Sequence, residues 1–212
     1  MLAQKKSELH ISLARESDKE QISKLREDEY ARASGFKVNP EAVRWNRSDD
    51  QCAILAVWDG SEVISTMRIE LVDNQTMLET KLECPWEFGE ISYPVMLLSK
   101  AATRLSHQGR GLNAAMRYHS LLLAKRWGVQ YLVGTFVDGS PRRNTMARMG
   151  YQFFINKKGW FSSDYHSERE VIVAKLDLVT EGKHAVSMLE RAGSQLIWQG
   201  EIPKAKFVRL VK

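Results

Sequence analysis

The chain has 212 residues, 43% of them hydrophobic and 27% charged, which excludes a disordered segment and fits one folded domain with an extension. Its two cysteines, Cys52 and Cys84, are too few for a disulfide framework, and without close His or Cys neighbours they do not read as a zinc site, so no metal is expected. The net charge of +5 is unevenly distributed: residues 100–160 hold 11 Lys or Arg against one acid, Asp138. Such a segment marks either an anionic partner or a solvated basic helix face. No secretion signal or apolar run of about 20 residues is present, so a cytoplasmic protein without a membrane span is expected.

In chain order, the alternation over 10–15 predicts a strand, and Ser17 or Asp18 caps a helix carrying Ile22, Leu25 and Tyr30 that ends near Gly35. Runs 53–58 and 62–72, separated by Asp59-Gly60-Ser61, predict a hairpin. Pro85, Gly89 and Pro94 predict loop with short helical or extended pieces over 73–94, and 95–105 reads as a strand. Leu112, Ala115, Met116, His119, Leu122 and Leu123 then form one apolar helical stripe, stopped by Gly128. The run 131–137 follows as a strand, so strand, helix and strand predict a right-handed crossover between parallel neighbours. Beyond the turn Asp138-Gly139-Ser140-Pro141, a short helix is expected over 143–149 and strands over 151–155 and 169–178. A domain over 1–178 with a C-terminal extension over 179–212 is expected, the extension holding a helix near 184–192 and a strand near 206–211.

The segment with most chemical content is Gln108-Gly109-Arg110-Gly111-Leu112-Asn113, between a strand and the clearest helix. Glycines let a backbone turn tightly, and free amides at a helix start point at anions. The spacing is neither that of a Walker loop nor that of a dinucleotide fingerprint, and on these residues alone an ordinary strand-to-helix turn fits as well.

Ser99-Lys100-Ala101-Ala102-Thr103 followed by His107-Gln108-Gly109-Arg110-Gly111-Leu112 resembles the donor-binding region of the GNAT N-acyltransferases. Gln108 and Gly111 match that pattern, Asn113 departs at its last position, and Met149-Gly150-Tyr151 resembles the family's Leu-Gly-Phe ending. The resemblance implies an α/β fold with a mixed, twisted sheet and helices on both faces. It also implies an acyl-phosphopantetheine donor whose phosphate lies on the amides of Gln108, Gly109, Arg110, Gly111, Leu112 and Asn113, beside the strand backbone of Ala101, Ala102 and Thr103. Leu25-Arg26, Tyr30, Phe36 and Ser99-Lys100 resemble acyl-homoserine-lactone synthases and long-chain N-acyl amino acid synthases, with Leu98 and Lys100 departing from the lactone synthases. These relatives imply acyl carrier protein as donor, favoured over acyl-CoA, and an amino acid as acceptor. Where many family members carry a proton-donating Tyr, this chain has Met146.

Glu90 is the first candidate for a general base and Ser99 for orienting water or substrate. Arg142 and Arg143 are candidates for gripping a substrate carboxylate or carrier phosphate. His119 reads as a core histidine, and His107 as an aid to binding. Acetyl-CoA-dependent acetylation of a small amine or protein, and a non-catalytic donor-binding module, remain competing functions. No interleaved aromatic motif supports a nucleic-acid partner.

Overall fold

The computed structural model describes residues 9–32, 36–140, 142–156, 165–167 and 170–202. Gly35, Pro141, Trp160 and the strand expected over 206–211 lie outside them. Among the described residues ten strands run in chain order: β1 (His10–Leu13), β2 (Phe36–Val38), β3 (Ala53–Asp59), β4 (Glu62–Val72), β5 (Val95–Thr103), β6 (Tyr131–Val137), β7 (Gln152–Asn156), β8 (Tyr165–Ser167), β9 (Val171–Asp177) and β10 (Ile197–Trp198). The helices are α1 (Lys19–Ala31), α2 (Pro40–Val43), α3 (Gln75–Leu82), α4 (Leu112–Arg126), α5 (Arg142–Arg148) and α6 (Gly182–Gly193).

Eight strands form one mixed sheet in the order β10-β1-β3-β4-β5-β6-β9-β7, and β2 pairs with β8 apart from it. β5 and β6 are the expected parallel neighbours, joined through α4. α3 is the helical piece of the 73–94 segment, capped by the Asn74 side chain, which accepts from Met77 N at 2.9 Å. β2, β8, α2 and β10 have no counterpart in the sequence reading. Two to four residues carry too little periodicity to register, and β10 pairs along the edge that β1 offers it.

Alternation along the strands sends side chains to opposite faces. On one face, Ile11, Leu55, Val57, Met67, Ile69, Met96, Leu98, Leu132 and Ile172 make one continuous core with α4, α5 and α6. Because α6 packs along α4, burial there extends beyond the predicted stripe to Leu121, whereas Leu122 is 39% exposed. The other face carries two separate clusters. Ile22 and Leu25 of α1 pack on Ile54, Ala56, Val63 and Ala102; Leu78 and Leu82 of α3 pack on Val72, Val95, Leu97 and Val173.

Candidate active site

The site begins where two strands part. β5 and β6 pair at Met96↔Leu132, Leu97↔Val133 and Leu98↔Gly134, and no further. At the last pair a side chain on residue 134 would place its Cβ 3.1 Å from the Leu98 carbonyl oxygen, so glycine permits the final close approach. On its other side β5 pairs with β4 at Arg68↔Ser99 and Thr66↔Ala102, which leaves Lys100 and Ala101 opposite Met67 alone. Lys100 takes up this bulge with φ +47. A bulge bends its strand, here away from β6. Between the parted strands lies a cleft of about 840 Å³, lined also by the end of α1, the loop 105–111 and the starts of α4 and α5. Beyond Leu98 the β6-facing edge of β5 is unpaired, and an extended ligand with amide groups can pair with it as a strand would.

At one end of the cleft is the glycine loop. Gly109 (φ +76) and Gly111 (φ +79) take left-handed conformations that L side chains rarely adopt. The amides of Gly109, Arg110, Gly111, Leu112, Asn113 and Ala114 have no protein acceptor among the described residues. They face the positive end of a 15-residue helix. The Gln108 amide differs, because it donates to Leu105 O at 3.2 Å, so the free amides start one residue later than the motif. Gln108 instead fastens the loop: its Nε2 donates to Thr103 O at 3.0 Å and to Glu29 Oε2 at 3.2 Å. Glu29 Oε1 also accepts from Leu105 N at 3.1 Å, tying α1 to the loop. Leu112 is buried beneath the cradle. Asn113 Oδ1 accepts from Arg117 Nε at 3.1 Å, and its buried Nδ2 has no partner among the described residues.

At the other end, in the gap between the α1 and α3 clusters, buried charges meet. Asp49 accepts from Arg26 Nη1 at 3.0 Å and from Lys100 Nζ at 2.8 Å, and both Arg26 and Asp49 are fully buried. Arg68 Nε donates to Ser99 Oγ at 2.8 Å and Nη1 to Ser48 Oγ at 3.1 Å, while Nη2 lies 3.6 Å from Glu70 Oε2. Lys81 Nζ meets Glu70 Oε1 at 2.8 Å. Burial pushes Lys100 down to about 8 against the pull of Asp49. Burial works to raise Asp49, but Arg26 and Lys100 overcome it and hold the carboxyl below its ordinary value. Burial, helped by Glu70, pushes the Cys52 thiol up to about 12, leaving it inert as a nucleophile.

The cleft gathers Ser99, Ala101, Ala102, Thr103, Gln108, Gly109, Gly111, Leu112, Asn113 and Arg142 from the sequence-predicted set, and Arg110 is exposed in the loop that lines it. Glu90 is not among them. It borders a separate hollow of about 320 Å³ with Tyr131, Lys175, Asp177 and Glu181, at the opposite end of β6 from the cleft. Arg143 does not line the cleft either: its guanidinium is turned to the Phe153 ring and donates to Oδ1 of Asp138, a residue of the cleft wall, at 2.7 Å. The basic segment is not one patch: Lys125 and Arg126 close α4, about 20 Å from the glycine loop by helical rise. His119 is a core residue beside Trp198, with its pKa lowered by burial, and His107 bonds Ser106 and Asp59 at the cleft wall. Met146 is buried in the apolar core. Among the described residues no cluster of three His, Cys, Asp or Glu side chains converges as metal ligands would, and no helix is long and apolar enough to cross a membrane.

Sequence reasoning missed Arg26 and Asp49 as a pair, Arg68, Glu70, Glu29 and Arg117. One signal was available: Arg68 and Glu70 share a face in the second half of β4, where their neighbours Met67, Ile69, Leu71 and Val72 are apolar.

No family model and no curated protein matches the chain. Solved structures do. A CoA-dependent acyl-homoserine lactone synthase, BjaI, solved with SAM and isopentyl-CoA, superposes with a TM-score of 0.66 at 15% identity, covering 94% of this chain and 97% of that one. FeeM, an N-acyl amino acid synthase from uncultured soil microbes, gives 0.62 at 11% identity over 86% and 97%. An N-acetyltransferase from Staphylococcus aureus Mu50 gives 0.56 at 11% over 80% and 98%.

Proposed function

From the GNAT acyltransferase fold that this chain has, we propose that it is an N-acyltransferase moving an acyl group from a phosphopantetheine thioester to the amine of an amino acid. The observation that carries the reading is the cleft between β5 and β6, with free amides at one end and a fixed polar network at the other. The amides of 109–114 hold the donor phosphate, and Asn113 Nδ2 adds a further donor. The pantetheine arm pairs with the free edge of β5 along Ala101, Ala102 and Thr103. That route delivers the thioester to the bulge, where a backbone amide polarises its carbonyl. Arg142 lines the cleft, and its guanidinium has no hydrogen-bond partner among the described residues, so it receives the acceptor's carboxylate.

The rim beside the cradle favours acyl carrier protein as the donor. Arg110 is exposed there and Leu105 is 62% exposed, an apolar and basic combination suited to an acidic partner. Acyl-CoA is the second reading, favoured by the overlap with BjaI, which is CoA-dependent. Acetyl-CoA is the third, since the cleft fold is shared with N-acetyltransferases. Turnover of matched acyl donors across ionic strength tests the choice. With the carrier as donor, kcat/KM falls steeply as salt rises and falls again in Arg110→Glu. Equal salt dependence for both donors contradicts the carrier reading, and turnover of neither leaves only a donor-binding module.

A further inference from the structure

Amide formation from a thioester moves one proton from nitrogen to sulfur. Met146 stands where related acetyltransferases carry a Tyr, and its thioether has no proton to give. Glu90 is at the wrong end of the sheet to take one. A proton path through the cleft would therefore run through other groups.

Ser99 occupies the position the chemistry needs. It is the first β5 residue beyond the last β5–β6 pair and the last before the bulge, at the apex of the cleft. Its Oγ accepts from Arg68 Nε at 2.8 Å. Among the described residues the Ser99 hydroxyl proton has no protein acceptor, so it is free to point into the cleft. Arg68 also donates to Ser48 Oγ and lies 3.6 Å from Glu70, which Lys81 holds, so the guanidinium that fixes Oγ is anchored by two hydrogen bonds and one longer ion pair. A cation donating to a hydroxyl oxygen stabilises charge developing on that oxygen and makes the hydroxyl a better proton donor. Of the other hydroxyls that line the cleft, Tyr30 belongs to the end of α1, Thr103 Oγ1 sits at the cradle end bonded to Ser65 Oγ at 2.7 Å, and Ser140 Oγ accepts from the Arg142 amide in the turn after β6. Thr135 lines the cleft from β6, but among the described residues no cation donates to its hydroxyl as Arg68 does to Ser99.

We propose that the Ser99 hydroxyl is the proton shuttle of the transfer and that Arg68 is its positioning residue; this rests on reading the cleft as an acyl-thioester site. The neutral amine attacks the thioester carbon and a C–N bond forms. As the tetrahedral intermediate collapses and the C–S bond breaks, Ser99 gives its proton to the departing sulfur. The proton lost from nitrogen returns to Oγ, so the serine is regenerated and no separate base is consumed.

The test compares two donors with one acyl group: the alkyl thioester of coenzyme A, whose thiol has a pKa near ~8.5, and an aryl thioester, whose thiolate leaves without protonation. Each variant is compared with the wild type on the same donor. Ser99→Ala lowers kcat on the coenzyme A thioester about 100-fold, as loss of general acid–base catalysis does, and leaves the aryl thioester nearly unchanged. Ser99→Thr, which keeps the hydroxyl, restores most of the loss. Arg68→Met shows the same split between donors to a smaller degree, which a merely structural role would not produce. An equal loss on both donors, or no loss on either, overturns the shuttle while leaving the acyltransferase reading intact. A folded wild-type protein that turns over neither thioester overturns both.

Discussion

The two faces of the sheet are built on different principles. Under α4, α5 and α6 one apolar core runs from Ile11 to Leu176 without interruption. Under α1 and α3 the core is broken in two, and the gap is filled by Arg26, Asp49, Arg68, Glu70, Ser99 and Lys100. The continuous face stabilises, because burying apolar side chains is the main favourable term in folding. The broken face gives up such burial and takes on desolvated charges, which on balance contribute little or cost stability. A fold keeps such an arrangement where it needs fixed polar groups, and here they adjoin the apex of the cleft. The free amides of 109–114 lie at the other end of that cleft, at the start of α4, the helix that anchors the apolar face.

The sharpest break in this comparison is to remove one partner from the charged face. Asp49→Ala leaves Arg26 and Lys100 buried without a counter-charge and should lower stability by about 3–5 kcal/mol in denaturant melts. Replacing Arg26, Asp49 and Lys100 together by Met, Leu and Met should leave stability near the wild-type value while abolishing turnover. A triple variant as unstable as Asp49→Ala contradicts the claim that these charges are kept for function. At the cradle, Gly111→Asp forces a side chain into φ +79 and sets a carboxylate against the donor phosphate. If the free loop relaxes to escape about 2 kcal/mol of that strain, donor binding must restore it and weakens roughly 30-fold, and repulsion adds to the loss. Calorimetry with coenzyme A reads this directly, and unchanged affinity removes the phosphate from this loop.

A third expectation concerns pH. Lys100 has a folded pKa of about 8 against an ordinary 10.5. Below pH 8 both states hold the proton and the full penalty of burying the ammonium is present. Between 8 and 10.5 the folded chain has released a proton that the unfolded chain keeps, so wild-type stability rises with pH relative to Lys100→Met. A difference in melting temperature that stays flat across this window contradicts the assignment. The smallest effect belongs to the far end of α4. Lys125→Gln with Arg126→Gln should change stability by less than about 1 kcal/mol, through the helix dipole, and leave donor affinity unaltered. A marked loss of carrier turnover in that variant places the docking surface there instead of at Arg110.

What was legible in the sequence was local. α4 announces itself through its stripe, and the loop of six consecutive residues from Gln108 to Asn113 lies between β5 and the start of α4, as its glycines and the helical stripe imply. Glu90 shows how local reading fails: it precedes β5 in sequence and so lies at the strand's N-terminal end, whereas the cleft opens at the C-terminal ends of β5 and β6. Arg143 fails differently, because adjacent helical residues point about 100° apart, and only Arg142 lines the cleft. The Arg26–Asp49–Lys100 contact joins residues 23 and 51 positions apart, and no periodicity encodes that meeting. The bulge at Lys100 was also invisible, since it arises from the register of β4 against β5 and not from glycine or proline in β5 itself.

The most direct test of acyl transfer at the cleft is the mass of its product. The wild-type protein is incubated with medium- and long-chain acyl carrier protein, the matching acyl-CoA and acetyl-CoA, each with pooled amino acids, and the mixtures are read by mass spectrometry. The expected product is an amino acid heavier by one long acyl group, with an equal amount of free thiol released, and none forms with Gly111→Asp. Acetylated products formed only from acetyl-CoA contradict the long-chain reading, and a folded protein that forms no amide from any of these donors contradicts the acyltransferase itself.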